Sequence, residues 1–293
     1  MPFVIRLSHS ACALFSSRLL QMALLAFSTT ALLFSTVINA SELASTPQKE
    51  QTQTRVTVIN ATKDTRHFSV TFDGSPRASQ VISQGALLAR QHAANIQGHN
   101  SDPIFWQGAG LFSDSDNNDV EHLRTQVLEV LSLLETEWRD DHAALNAVES
   151  LVAFLSESTF KQRVAIAIDE DVYLAGGRIN PLLAGDLTLL LPTRPKNVWV
   201  LGAVKQTADL DFSPLKLAGD YADAADTLDM FGISELNVIQ PDGHQETHQV
   251  AYWNEVPRNL APGALIYVPF SGLPSELSSL NHLIPSLLQH RVM

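Results

Sequence analysis

An α+β fold with a repeated strand–helix unit follows from three observations. Residues 55–60, RVTVIN, and residues 197–204, NVWVLGAV, are both short β-rich runs. Each is followed by a polar turn, a second β-rich run and a stretch with helical spacing. Between the two copies, over about residues 119–158, apolar residues recur at three- and four-residue intervals instead. The third observation is composition. A chain of 293 residues with 45% hydrophobic residues and mean hydropathy +0.04 can bury an ordinary core. It is neither disordered nor a polytopic membrane protein.

The first 40 residues differ from the rest. They hold Arg6 and Arg18 and no Asp or Glu, followed by an apolar run from Leu19 to Phe34 and a small residue at Ala40. Basic start, apolar centre and small boundary residue predict a secretory signal peptide over 1–40 and hence a periplasmic location. A retained anchor is the rival reading, since Leu19 to Ile38 is long enough to span a bilayer. Gln21, Ser28, Thr29, Thr30, Ser35 and Thr36 interrupt that stretch and favour cleavage, leaving no integral span. The single cysteine, Cys12, precedes the apolar run. The exported chain is therefore expected to need no disulfide and to use neither thiol catalysis nor cysteine-bound metal.

Residues 41–54 are polar and aperiodic, a flexible leader. RVTVIN then alternates, and after the TKDT turn HFSVTF alternates again with Phe68, Val70 and Phe72, the pattern of a hairpin. ASQVISQGALLARQHA has a helical spacing interrupted by Gly85. IFWQGAGLF (104–112) reads as a short buried strand or loop. A helix is predicted from Asn118 or Asp119, with Glu121 completing a capping box, to about Arg139. Its stripe is Val120, Leu123, Val127, Val130, Leu131 and Leu134. A second helix follows the Asp140–Asp141 pair, with Leu145, Val148, Leu151, Val152 and Leu155 on its face. The short connection makes the two an antiparallel hairpin.

RVAIAID (163–169) and DLTLLLP (186–192) read as strands, and PTRPK as a linker between units at 55–192 and 193–272. The second unit repeats hairpin and helix, continues through a PDG hairpin turn at 241–243, and ends in the strand ALIYVPF (264–270). Over 273–293, Leu277, Leu280, Leu283, Ile284, Leu287 and Leu288 form an amphipathic stripe. Pro285 predicts a kink or restart within it. The polar face of this tail is serine-rich, with only His290 and Arg291 as cations, so it is expected to pack on the body instead of on a membrane.

Taken in order, Asn180, Pro181, Leu183 and Gly185, the strand VWVLGAV, the PDG turn, Tyr252–Trp253–Asn254 and the PG-LIYV run of 262–268 resemble the GfcC/YjbG family of capsule and exopolysaccharide biosynthesis proteins. The resemblance extends over about 55–293 and is clearest over 179–270. It implies two β-grasp-like domains, related to periplasmic domains of polysaccharide export proteins. It also implies a helical hairpin inserted in the first domain and a C-terminal amphipathic helix folded back on the second. None of the matching motifs is a catalytic signature.

Charge and chemistry narrow the function. A formal net charge of -12, with basic residues scattered singly, argues against nucleic acid and anionic lipid. His244 and His248 stand four apart, but in a strand that separation is roughly 13 Å, too far to share a zinc ion bound at about 2 Å. They are expected to be exposed strand residues. SDSDNND (113–119) lacks the glycine and glutamate of a calcium loop and reads as a helix-capping loop. No metal or cofactor is expected. Asp169, Glu170 and Asp171 offer neighbouring carboxylates, more readily a solvated turn than a glycosidase pair. Arg163 and Arg178 either grip an acidic sugar or pair with those carboxylates. Among Trp106, Trp138, Trp199 and Trp253, Trp253 beside Tyr252 is best placed to be exposed and stack on sugar. The expectation is a periplasmic, non-enzymatic accessory protein of surface-polysaccharide production. Its partners would be the polysaccharide or outer-membrane export proteins, contacted through Arg163, Arg178, Asp169, Asp171, Tyr252 and Trp253. The alternative is a polysaccharide-modifying enzyme using Asp169 or Asp171 with Arg163.

Overall fold

Alternation in the opening segment gives its first strand a buried apolar side. In the computed structural model, residues 53–60, 67–97, 104–176, 179–228 and 232–293 are described, all in one compact unit. The signal-peptide segment, the leader as far as residue 52, the TKDT turn, Arg178 and the end of the helical stretch at 229–231 lie outside the described residues. The last two leader residues are not flexible: Gln53 and Thr54 open the first strand, and Thr54 is buried. β1 (Gln53–Ile59) and β2 (Phe68–Asp73) form the hairpin, and α1 (Ala78–Gln97) follows. Val56 and Val58 on β1 meet Val81, Ile82 and Ala86 on α1 in one buried cluster. Gly85 belongs to this contact: a β-carbon there would run into Leu189. The Asn180–Pro181 motif starts the helix from a distance. Asn180 Oδ1 accepts from Ser79 N at 3.1 Å, and Pro181 O accepts from Ala78 N at 2.9 Å.

After β3 (Gly110–Ser113) come α2 (Asn118–Glu137) and α3 (His142–Glu157), then the short strands β4 (Thr159–Phe160) and β5 (Gln162–Arg163). Asp141 caps α3, its carboxylate accepting from Ala143 N and Ala144 N at 3.1 Å each. The expected capping box on α2 is absent. Its N-cap is Asn117, whose Oδ1 instead accepts from Gln162 N at 2.8 Å and so ties the helix start to β5. RVAIAID does not form a strand beyond Arg163: Val164 N still donates to Leu111 O, but Ile166 N turns back to Val164 O. Val164, Ile166 and Ile168 pack against the first cluster from this irregular segment, which explains the alternation without a sheet. α4 (Glu170–Leu174) and β6 (Asp186–Leu190) complete the first unit.

The second unit runs β7 (Asn197–Gly202), β8 (Ala208–Asp211), α5 (Ala218–Ala224), β9 (Glu235–Ile239), β10 (Gln245–Gln249) and β11 (Leu265–Val268). Strand orders are β2-β1-β6-β3-β5 and β10-β9-β11-β7-β8, and the two have the same connectivity. In each, the first two strands form an antiparallel hairpin and the first pairs parallel with the last. The last pairs antiparallel with the third, which pairs antiparallel with the fourth.

The hairpin α2–α3 interrupts the first unit in sequence but covers the second sheet in space. Val127, Leu131, Leu134, Val148, Leu151 and Leu155 share one core cluster with Val200, Leu265 and Tyr267. The ring of Phe154 on α3 tilts against Trp199 on β7 at 5.2 Å. α6 (Leu280–Leu288) joins this layer, with Asn281 Oδ1 accepting from the buried Tyr267 hydroxyl at 2.7 Å. Pro285 lies within α6, not at a restart; the interruption falls earlier, where Ser275–Leu277 form a 3-10 turn before the helix begins. β12 (Arg291–Val292) then pairs antiparallel with β4, and Val292 buries with Phe112 and Leu190 under the first sheet. Among the described residues no helix is long and apolar enough to cross a membrane.

Candidate functional site

Arg163 ends β5 at the junction of the two units, and its guanidinium is held by what its neighbours lack. A β-carbon on Gly110 of β3 would meet its Nη1, and one on Gly243 of the PDG turn would meet its Nε. Both glycines therefore let the side chain pass between the units. The ring of Phe112 lies 4.6 Å from the guanidinium carbon. Nε donates to Gln289 O at 2.9 Å, and the main-chain N–H of Arg163 donates to Nδ1 of His290 at 3.2 Å. No carboxylate among the described residues forms an ion pair with Arg163; Asp242 acts on it from a longer distance. Burial lowers its pKa to about 10 against that charge.

Beside Arg163 opens a cleft of about 720 Å³, bounded by Trp106, the segment 164–169, Asp242, His244 and His290. Burial, and then the charge of Arg163, hold the His290 imidazole below its usual range. The cleft thus has a cationic floor, two carboxylates at its margin in Asp169 and Asp242, and one indole.

A second cleft, of about 460 Å³, lies between α5 and the segment after β10. Tyr252 and Trp253 stand at its edge, 90% and 63% exposed, packed edge to face at 5.0 Å. Asn254 fixes that segment: its Oδ1 accepts from Ala251 N and its Nδ2 donates to Ser234 O. Asp220, Asp223 and Glu255 supply carboxylates nearby.

The structure separates the residues singled out by sequence. Arg163 and Asp169 line the central cleft, Tyr252 and Trp253 the second, and Arg178 lies outside the described residues. Asp169 does not pair with Arg163; it caps α4 by accepting from Asp171 N at 2.9 Å, while Glu170 pairs with Arg90 at 2.8 Å. His248 is buried, not exposed, with its ring Nε2 3.0 Å from Glu246 Oε2; His244 is exposed as expected. Asp114, in the loop resembling a calcium site, pairs with Lys161 at 2.5 Å and accepts from Thr188. Gly110, Gly243, Asp242 and His290 were not legible as site residues. The PDG turn carried a signal for a hairpin, and nothing local marks what it packs against.

The order of motifs from Asn180 to Val268, in the strands β7 and β11 and the turns and segments around them, agrees with comparison to known proteins. The family model for the capsule biosynthesis GfcC N-terminal region matches residues 49–194, and that for the GfcC C-terminal region matches 206–293. The chain belongs to the GfcC capsule biosynthesis family. The uncharacterized protein YjbG of Escherichia coli (strain K12) is 32% identical over 129 residues, covering 44% of this chain. The chain spans about half the length of that curated relative, 51%. Both family models are named for capsule biosynthesis. In this GfcC chain the recurring motifs are structural where the geometry is visible: Asn180 starts α1, and Gly185 and Gly243 take positive φ of +84° and +87°.

Proposed function

We propose that this GfcC-family chain is a periplasmic, non-enzymatic accessory protein of capsule or exopolysaccharide production, acting by binding glycan, export machinery or both. The observation that carries the reading is how the chemically suggestive groups are used. Asp169 is engaged as a helix cap, Glu170 in an ion pair and Arg163 in holding main-chain carbonyls. Tyr252 and Trp253, by contrast, leave aromatic faces open over a carboxylate-lined cleft. Aromatic faces stack on the C–H surfaces of pyranose rings, and carboxylates accept sugar hydroxyls.

The basic, acid-free start and the apolar run of residues 1–40 support export by a cleaved signal peptide. The shared strand connectivity supports reading both units as β-grasp domains of the kind expected in polysaccharide export proteins. A second reading, polysaccharide modification, would use Asp169 with Arg163 across the central cleft.

The test is titration of residues 41–293 with fragments of the producing cell's own polysaccharide, followed by tryptophan fluorescence and calorimetry. Saturable binding with unchanged glycan size and composition is expected. Trp253→Ala is expected to weaken it roughly tenfold, the loss of one aromatic stacking contact worth about 1–3 kcal/mol where bases stack on aromatic rings. Shortened or altered glycan would overturn the non-enzymatic reading; absence of any binding would leave a protein partner as the target.

A further inference from the structure

We infer that the central cleft is a second glycan subsite, distinct from the aromatic one, which takes a carboxylate-bearing sugar residue such as a uronate on Arg163. The guanidinium is largely buried and ion-paired to no described carboxylate. Nε and one Nη are committed to the carbonyls of Gln289 and Arg291, the latter at 3.5 Å. Nη1 has no described hydrogen-bond partner and lies in the gap that Gly110 leaves. Its nearest counter-charge, Asp242, acts from beyond ion-pair distance. A largely desolvated cation without a direct ion pair gains most from an anionic partner in contact, because the low dielectric that makes its burial costly also strengthens the pairing. A planar fork favours a carboxylate.

The margin of the cleft says which carboxylate. Asp169 and Asp242 would repel a simple anion approaching Arg163. A sugar acid offers hydroxyl donors to those two carboxylates while its own carboxylate reaches the floor. Trp106, which also lines the cleft, adds an indole surface for the ring. Its volume, about 720 Å³, is of the size that holds a small ligand. His244 stands beside Asp242 on the PDG turn, its main-chain N–H donating to Asp242 Oδ1 at 2.8 Å, which fixes the direction of that carboxylate.

The experiment uses the exported chain near neutral pH and a galacturonate oligosaccharide, its carboxyl-reduced neutral counterpart, and acetate. The acidic oligomer is expected to bind saturably, and the reduced one at least tenfold more weakly, as for loss of one charge-assisted pair. Acetate in hundredfold excess is expected not to displace the oligomer. Arg163→Lys, which keeps the charge and loses the fork, is expected to weaken binding roughly tenfold. Arg163→Gln should abolish it, and if that variant fails to fold, the comparison of acidic with reduced oligomer on the native protein still decides. Equal affinity for the two oligomers, no binding of the acidic one, or full competition by acetate would overturn the inference. So would binding lost in Trp253→Ala yet intact in Arg163→Lys, which would assign the ligand to the aromatic cleft and leave the proposed function standing.

Discussion

A β-carbon on Gly243 would crowd Nε and Cδ of Arg163 and the carbonyl of Gln289, on a backbone whose φ is already +87°. Gly74 has nearly the same φ, +82°, with open space where its β-carbon would lie. The two positions separate backbone strain from crowding. Gly74→Ala is expected to cost about 1–2 kcal/mol, the strain of a left-handed conformation. Gly243→Ala is expected to cost about 1–3 kcal/mol beyond that, the usual penalty of overpacking. Urea midpoints of the two variants measure the difference, and equal losses would mean that the turn does not brace Arg163.

His290 reports on the same contact through pH. Its pKa is depressed, first by burial and then by Arg163, while a backbone contact with Lys161 pulls the other way. The unfolded chain therefore takes up the proton first as pH falls. Stability linked to His290 is complete above its ordinary value of 6.5 and is lost as pH drops through the depressed value. The urea midpoint is expected to fall between about pH 7 and pH 5, the range where histidine titrates. The fall should be shallower in His290→Asn, which offers an acceptor near the position of Nδ1 and has no proton to gain. Identical slopes would remove His290 from the account.

Among the elements, the α2–α3 hairpin contributes one whole layer of the core it shares with the second sheet. Leu151 is fully buried in the cluster it shares with the second sheet, whereas Leu133 on α2 is 58% exposed. Leu151→Ala is expected to destabilise by about 2–5 kcal/mol, transfer and cavity together. Leu133→Ala should stay within about 0.5 kcal/mol. Chemical denaturation of the pair separates them; similar losses would mean that the stripe does not face a core. The helices themselves were readable because burial on one side writes a 3.6-residue period into the sequence. The same period does not say what the face covers, and the second sheet was not legible as its partner. RVAIAID misled because a strand and an irregular segment burying alternate residues share one pattern. Tyr252 and Trp253 could be singled out because they stand beside Asn254 at the end of a strand-like run. The central cleft could not: it draws on residues near 106, 163, 242 and 290, which only the tertiary fold brings together.

At the scale of the whole molecule, the segment Arg291–Met293 joins parts that sequence order keeps apart. β12 pairs with β4 beyond the helical hairpin, Val292 buries under the first sheet, and Arg291 lies over the Phe154 ring of α3 at 5.1 Å. Burial lowers the Arg291 pKa to about 10, so its charged form is retained at neutral pH at a desolvation cost. Deleting 291–293 is expected to lower the unfolding midpoint and to split one cooperative transition into two. Single-tryptophan variants retaining Trp106 or Trp199 would follow the two sheets separately. Coincident transitions at the native midpoint would show that the sheets are coupled elsewhere.

The placement of the hairpin also sets an order in time. Chains are made from the N-terminus at about 5–20 residues per second. α2 and α3 therefore emerge before β7, the first strand of the sheet they cover, and well before α6, which completes the layer. For the several seconds that this rate implies, Val127, Leu131, Leu134, Leu151 and Leu155 have no sheet to rest on. Through that interval the two helices have only each other to pack against, and their shared apolar face waits for the sheet it will cover.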